Sequence, residues 1–237
     1  MPPRQRILRH ATVTRTERIS PQLIRLTLDS PDLVGAELPF TDHYVKLLFP
    51  PPDAPYAHPV DPEQVSAEFP EHPPMTRTYS LRHRDTIRGT IALDFVTHGD
   101  TGLASPWALQ AKPGDRINYF GPGGAWRPDP SYKHFILAGD EAASPAICAA
   151  LEELPEHADA TAFFEVADRS AVFEVPQVER VTIVWLFRDG APYGHKLAQA
   201  VRATTIPTGR TSWFVHGVAE MIKDLRRYLF VERTIAK

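Results

Sequence analysis

The chain has 237 residues, 43% hydrophobic and 23% charged, with a net charge of -3. That is a globular composition with length for more than one core and no basic excess for bulk nucleic-acid binding. The single cysteine excludes an internal disulfide framework and an all-cysteine iron–sulfur cluster. Residues 1–20 hold no apolar leader and no run approaches a membrane span, so a cytoplasmic protein is expected.

The N-terminal half reads as β-structure. Strands are expected over Ile7 to Ile19, Leu23 to Leu28, Tyr44 to Phe49, Arg77 to Arg82, Ile91 to Val96 and Arg116 to Phe120. Short strands separated by turn signals predict an antiparallel barrel or sandwich. Thr86 to Gly89 reads as the hairpin turn between the fourth and fifth strands. The proline-rich stretch from Pro50 to Pro74 reads as one long loop, a kind that is usually functional or mobile.

The second half alternates apolar strands with helices. Strands are expected at Phe135–Ala138, Thr161–Val166, Val181–Leu186 and Ser212–His216, and helices at Pro145–Leu154, Gly194–Ala203 and Ala219–Val231. This rhythm predicts a parallel sheet covered on both faces, with ligands beyond the carboxyl ends of its strands. Gly139 and Gly217 each follow a strand, where a turn must pass close to a ligand. The expected domains are 1–127 and 132–237, with the boundary where Pro128 and Pro130 flank Asp129.

Arg77-Thr78-Tyr79-Ser80-Leu81 carries the chemistry. In an extended segment residues 77 and 79 point to one face, and 78 and 80 to the other. The arginine offers a planar fork for phosphate, the Tyr79 ring can lie on a flat cofactor, and the Ser80 hydroxyl can reach a ring nitrogen. The set suits a flavin nucleotide, although the tetrapeptide alone also describes an ordinary half-buried strand.

The later segments turn this pattern into a family resemblance. The run from His98 to Ala108 resembles the second flavin-binding segment of the siderophore-interacting proteins. Gly121-Pro122-Gly123-Gly124, Leu137-Ala138-Gly139-Asp140-Glu141 and Trp213-Phe214-Val215-His216-Gly217 are similar to their next signatures. The resemblance implies a ferredoxin-reductase-like fold: an antiparallel β-barrel flavin domain, then a parallel-sheet α/β nucleotide-binding domain. It also implies an FAD-dependent ferric-siderophore reductase fed by NADPH, NADH or ferredoxin. Position by position, Arg77 would neutralise the pyrophosphate, with Thr78 beside it. Tyr79 would pack on the isoalloxazine and Ser80 would reach the ring near N5, the pair counted as catalytic. His98, Gly99, Gly102, Ala104 and Ser105 would cradle the phosphates. Gly139, Asp140, Glu141 and Gly217 would take the nicotinamide cofactor. The chain departs from the family pattern at Leu103, Ala142, Ser144 and Val218.

Lys46, inside an apolar strand, stands where the family often has a lysine beside the flavin, and is expected either to contact substrate or to snorkel. Asp168, Arg169 and Ser170 follow a strand where an adenosine ribose should lie, and the arginine leans toward NADPH. Cys148 reads as a small core residue, the histidines lack metal-ligand spacing, and Arg226-Arg227 reads as a solvated helix end. The competing expectations are a flavin reductase serving a protein acceptor and a non-catalytic siderophore-binding module.

Overall fold

The computed structural model describes residues 7–97 and 102–235. The chain divides into two compact units, Met1–Trp126 and Arg127–Lys237.

The first unit is a closed antiparallel barrel of β1 (Leu8–Ser20), β2 (Leu23–Asp29), β3 (Tyr44–Phe49), β4 (Met75–Asp85), β5 (Thr90–Val96) and β6 (Arg116–Gly123), in the spatial order β1-β2-β5-β4-β3-β6. Period-2 alternation drives it. Leu26, Leu28, Val45, Leu47, Leu93 and Phe95 point inward into one fully buried core, each contributing about 1.5–3 kcal/mol by burial. On the outer side Arg25 and Asp94, paired in register on β2 and β5, form a two-pronged ion pair at 2.6 and 2.7 Å. The β4–β5 hairpin turns where Asp85 Oδ1 accepts the Ile87 and Arg88 N–H groups.

The stretch from Pro50 to Pro74 is not all loop. It contains helix α1 (Pro62–Glu68), started by Asp61, whose carboxylate accepts the Glu63 and Gln64 N–H groups, with proline in the first turn. Val60 and Val65 close over Leu48 on the outer face of β3. Helix α2 (Ala104–Gln110) packs Ala104 and Ala108 onto the barrel core.

The second unit is a parallel sheet of β7 (His134–Asp140), β8 (Asp159–Val166), β9 (Val181–Phe187) and β10 (Thr211–Val215), ordered β10-β7-β8-β9. Helix α3 (Ser144–Glu152) follows β7, α4 (His195–Ala203) precedes β10, and α5 (Ala219–Arg227) follows it. Ile136, Ala138 and Phe163 meet Leu197 and Val201 of α4 and Met221 and Leu225 of α5 on one face. Phe164 and Trp185 meet Phe173 in a second aromatic group, with centroids 5.1–6.0 Å apart. The last helix is shorter than expected: α5 gives way at Arg227 to a wider π-turn, Tyr228–Glu232. Among the described residues no helix is long and apolar enough to cross a membrane.

Candidate functional site

The first half of β4 is the exposed part of the barrel wall. Leu81 to Asp85 pairs with β5, but a register shift between Leu81 and His83 bends the strand away. Among the described strands, Met75 to Ser80 pairs with β3 alone. Arg77 and Thr78 are exposed and Tyr79 and Ser80 half-buried. The register with β3 sorts them as their alternation requires. Tyr79 and Arg77 lie opposite the inward Val45 and Leu47, whereas Ser80 and Thr78 lie opposite Tyr44 and Lys46.

Tyr79 is held by a neighbour that the motif alone did not reveal. Its ring centroid is 4.2 Å from that of Phe95, with the planes inclined at 34°. Phe95 continues to Trp107 of α2 at 5.8 Å, and Trp107 to His58 at 5.6 Å. Burial pushes the Tyr79 phenol up to about 12, against the opposing charge of Arg77. The ring is therefore a neutral, flat surface fixed from behind.

The donor set fits a flavin nucleotide. A backed aromatic ring and an exposed arginine lie on one side of the strand, with hydroxyls on the other. Arg77 donates from Nη1 to the neighbouring Thr76 carbonyl at 2.9 Å and is otherwise exposed, leaving most of its fork toward solvent. Gly102 adopts φ +85° with open space around it, and α2 begins with Ala104 and Ser105 buried and no side-chain cap. His98 and Gly99, expected in the phosphate cradle, lie outside the described residues.

Lys46 sits at the margin of the same wall. Tyr44, Lys46 and Leu48 share the outer face of β3. Leu48 is sealed beneath the loop carrying α1, while Lys46 is half-buried between Thr78 on β4 and Phe120 on β6. The Gly121–Gly124 segment shapes the neighbourhood. A Cβ on Gly123 would lie 2.6 Å from Cζ of Tyr44, so glycine makes room for that ring beside Ser80. Asp42 Oδ1 then fixes the segment by accepting the Ala125 and Trp126 N–H groups at 2.8 and 2.9 Å.

In the second unit the expected residues gather at the carboxyl edge of β7 and β10. Strand β7 runs on through Gly139 and Asp140 rather than ending before them. A Cβ on Gly139 would lie 2.4 Å from that of Ala143, so α3 can approach the strand only over glycine. Gly217, at φ +151°, lies beside Asp140, whose Oδ2 would be 3.4 Å from a Cβ there. Asp140 Oδ1 accepts the Ala142 and Ala143 N–H groups. Burial raises its carboxyl above the usual range, the Ala143 N–H opposing, with the charges of Glu141 and Glu165 adding to the rise.

Glu141 is placed differently from the expectation of a cofactor contact. It is buried, and both carboxylate oxygens are taken by Arg188 at 2.5 and 2.8 Å, with the Ala167 N–H also donating to Oε1. Glu165, fully buried, spends its oxygens on the Gly194 and Leu197 N–H groups that start α4 and lies 3.6 Å from Arg188. The Arg188 guanidinium lies 3.9 Å from the centre of the Tyr193 ring. Sequence reading missed this knot because Glu141 and Arg188 are 47 residues apart. Asp168 is likewise engaged, accepting the Ser170 N–H and hydroxyl at 2.7 and 2.6 Å, while Arg169 is exposed with its guanidinium 5.2 Å from the Phe187 ring centre.

A closed six-stranded antiparallel barrel followed in the chain by a four-stranded parallel α/β unit is the ferredoxin-reductase-like fold. Residues 12–126 match the siderophore-interacting FAD-binding domain and residues 132–237 the siderophore-interacting protein domain, so the chain belongs to the siderophore-interacting protein family. It is similar to the ferric vibriobactin reductase ViuB of Vibrio cholerae, with 33% identity over 94% of this chain and 83% of that one. It is also 32% identical to the NADPH-dependent ferric-chelate reductase of Escherichia coli K12, over 95% of this chain and 87% of that one. Among solved structures, a siderophore utilization protein from T. fusca superposes with a TM-score of 0.83 at 34% identity, covering 98% and 88% of the two chains.

Proposed function

We propose that this protein is a cytoplasmic, FAD-dependent ferric-siderophore reductase that uses NADPH. The observation that carries the reading is the register of β3 on β4. It sets Lys46 beside Thr78 and Ser80 on the strand whose alternate residues are Arg77 and Tyr79. Flavin contacts and a cation for an anionic chelate thus share one strand pair.

Arg77 holds the pyrophosphate by its fork and Tyr79 offers its free face to the isoalloxazine. Ser80 donates toward the ring, and Lys46 attracts the oxygen-rich ferric chelate at its edge. The backbone around Gly102, Ala104 and Ser105 takes the remaining phosphate charge, together with His98 and Gly99. When bound, the flavin accepts two electrons from a nicotinamide and delivers them singly, so one NADPH serves two ferric ions. Lower charge on the iron weakens its bonds to hard oxygen ligands and frees it from the chelate.

In the α/β unit Gly139, Asp140 and Gly217 bind the nicotinamide cofactor, and Glu141 positions their turn through Arg188. The NADPH choice rests on Arg169. With Asp168 committed to Ser170, the exposed group at that strand end is a cation suited to a 2′-phosphate. The test is the rate of FAD reduction with each coenzyme. NADPH should be faster, and Arg169→Ala should raise KM for NADPH while leaving NADH nearly unchanged. Equal rates for both coenzymes in the unaltered protein would remove Arg169 from the site.

A further inference from the structure

The ring behind Tyr79 is itself held in place. Phe95, fully buried on β5, meets Tyr79 with the planes inclined at 34°, and meets Trp107 of α2 on another side with the planes at 53°. Trp107 is fixed in turn by two further rings. Its ring centre lies 6.0 Å from that of Phe49, the last residue of β3, in an edge-on arrangement, and 5.6 Å from that of His58. Phe49 and His58 meet edge-on at 5.3 Å, so these three rings form a closed triangle. Such contacts are directional, because a ring has a negative face and a positive edge. Burial lowers His58 to about 4, which keeps the triangle uncharged near neutrality.

The consequence for Tyr79 is positional. Among the described residues the β4–β5 ladder stops at the pair Leu81 and Leu93. Two residues further along each strand, Tyr79 and Phe95 meet through side chains alone, without paired backbone to set their distance. The angle of the Tyr79 ring therefore depends on where Phe95 is pushed, and Trp107 is the ring that pushes it.

We propose that Trp107 is a positioning residue for the flavin: acting through Phe95, it sets the tilt of Tyr79 against the isoalloxazine. This rests on the reading in which Tyr79 packs on bound FAD. An aromatic ring stacked on a flavin quenches its emission, and the negative face of the phenol disfavours the reduced, electron-rich state. Loosening Tyr79 should therefore raise both the emission and the midpoint potential. Losing one aromatic contact shifts the balance between packed and loosened Tyr79 by about 2- to 12-fold.

The experiment is flavin fluorescence per bound FAD and dye-coupled redox titration of the FAD-loaded protein, with FAD content and circular dichroism as controls. Trp107→Leu should keep its fold and its FAD, emit at least about twofold more brightly than the parent, and show a higher midpoint potential. Trp107→Phe restores a ring and should return both values toward the parent, whereas an indole that quenched the flavin directly would leave this variant as bright as Trp107→Leu. Phe95→Leu cuts the same link one ring nearer. It should be at least as bright as Trp107→Leu, and the double variant no brighter than Phe95→Leu. This variant also keeps the proposal open to refutation where Trp107→Leu does not fold, since parent-like emission from it would break the relay.

Tyr79→Leu separates the inference from the reading beneath it. Parent-like emission and potential in that variant would overturn the placement of Tyr79 on the flavin and the inference with it. A bright Tyr79→Leu beside an unchanged Trp107→Leu would overturn the inference alone. So would a Trp107→Phe as bright as Trp107→Leu, an additive double variant, or loss of FAD from a folded Trp107→Leu.

Discussion

Lys46 and Thr78 lie directly opposite each other on β3 and β4, which sets their Cβ atoms about 4.5–5.5 Å apart. Lys46 is the only cation between Tyr44 and Phe49, and the net charge of -3 gives the chain no general attraction for anions. Attraction for an anionic ferric chelate must therefore be local. Lys46→Ala should weaken binding of such a chelate, by an amount that shrinks as salt is raised. FAD content and flavin reduction by NADPH should stay near the parent values. Titration of chelate binding at low and high ionic strength checks this, and loss of FAD instead would make Lys46 a cofactor residue.

Arg77 is exposed and donates to its own neighbour's carbonyl, so removing it should leave the barrel intact. Arg77→Ala should lose the charge-assisted pair to the pyrophosphate, at a cost of about 2–5 kcal/mol in FAD affinity. FAD content after gel filtration reads this directly, with circular dichroism reporting the fold. Equal FAD in variant and parent would remove Arg77 from the phosphate site.

His58 gives the barrel a pH dependence. Burial between Phe49 and Trp107 lowers its pKa from 6.5 to about 4, against the opposing charge of Asp115. The unfolded chain therefore takes up a proton below pH 6.5 that the folded chain refuses until about pH 4. This contribution to stability is complete above the unfolded pKa and is lost as pH falls across that window. With the ring only partly buried, the loss should be about 1–2 kcal/mol. Denaturant melts at stepped pH should show it, and His58→Phe should flatten that part of the curve. An unchanged slope in the variant would mean that His58 does not titrate abnormally.

Arg188 neutralises Glu141 and approaches Glu165 where Asp140 is also buried. Arg188→Met keeps much of the volume but leaves carboxylates facing each other without a cation. Stability should fall by about 3–5 kcal/mol, measured by denaturant unfolding of the α/β unit. A loss below about 1 kcal/mol, the range of an exposed pair, would show that the network is solvated.

Legibility followed the range of the interactions. The bounds of β3 are those expected, because period-2 alternation from Tyr44 to Phe49 is a local signal. The sorting of Arg77 and Tyr79 from Thr78 and Ser80 was legible for the same reason. Helix α1 was missed inside a proline-rich stretch, although Asp61-Pro62-Glu63 is a helix start whose signals were present. What sequence could not supply was distance: Phe95 behind Tyr79, Trp107 against His58, and Arg188 across from Glu141 meet only in the folded chain. Glu141 was therefore placed against the cofactor when its charge is spent inside the protein.

The central claim, that electrons pass from NADPH through bound FAD to a ferric chelate, is tested most directly by counting ferrous iron. FAD-loaded and FAD-stripped protein would each be mixed anaerobically with NADPH, a ferric catecholate chelate and a ferrous-specific chromogenic trap. The account predicts about two ferrous ions per NADPH oxidised in the loaded protein, and almost none in the stripped protein until FAD is restored. NADPH oxidation without ferrous iron, or ferrous iron formed equally fast without FAD, would contradict it.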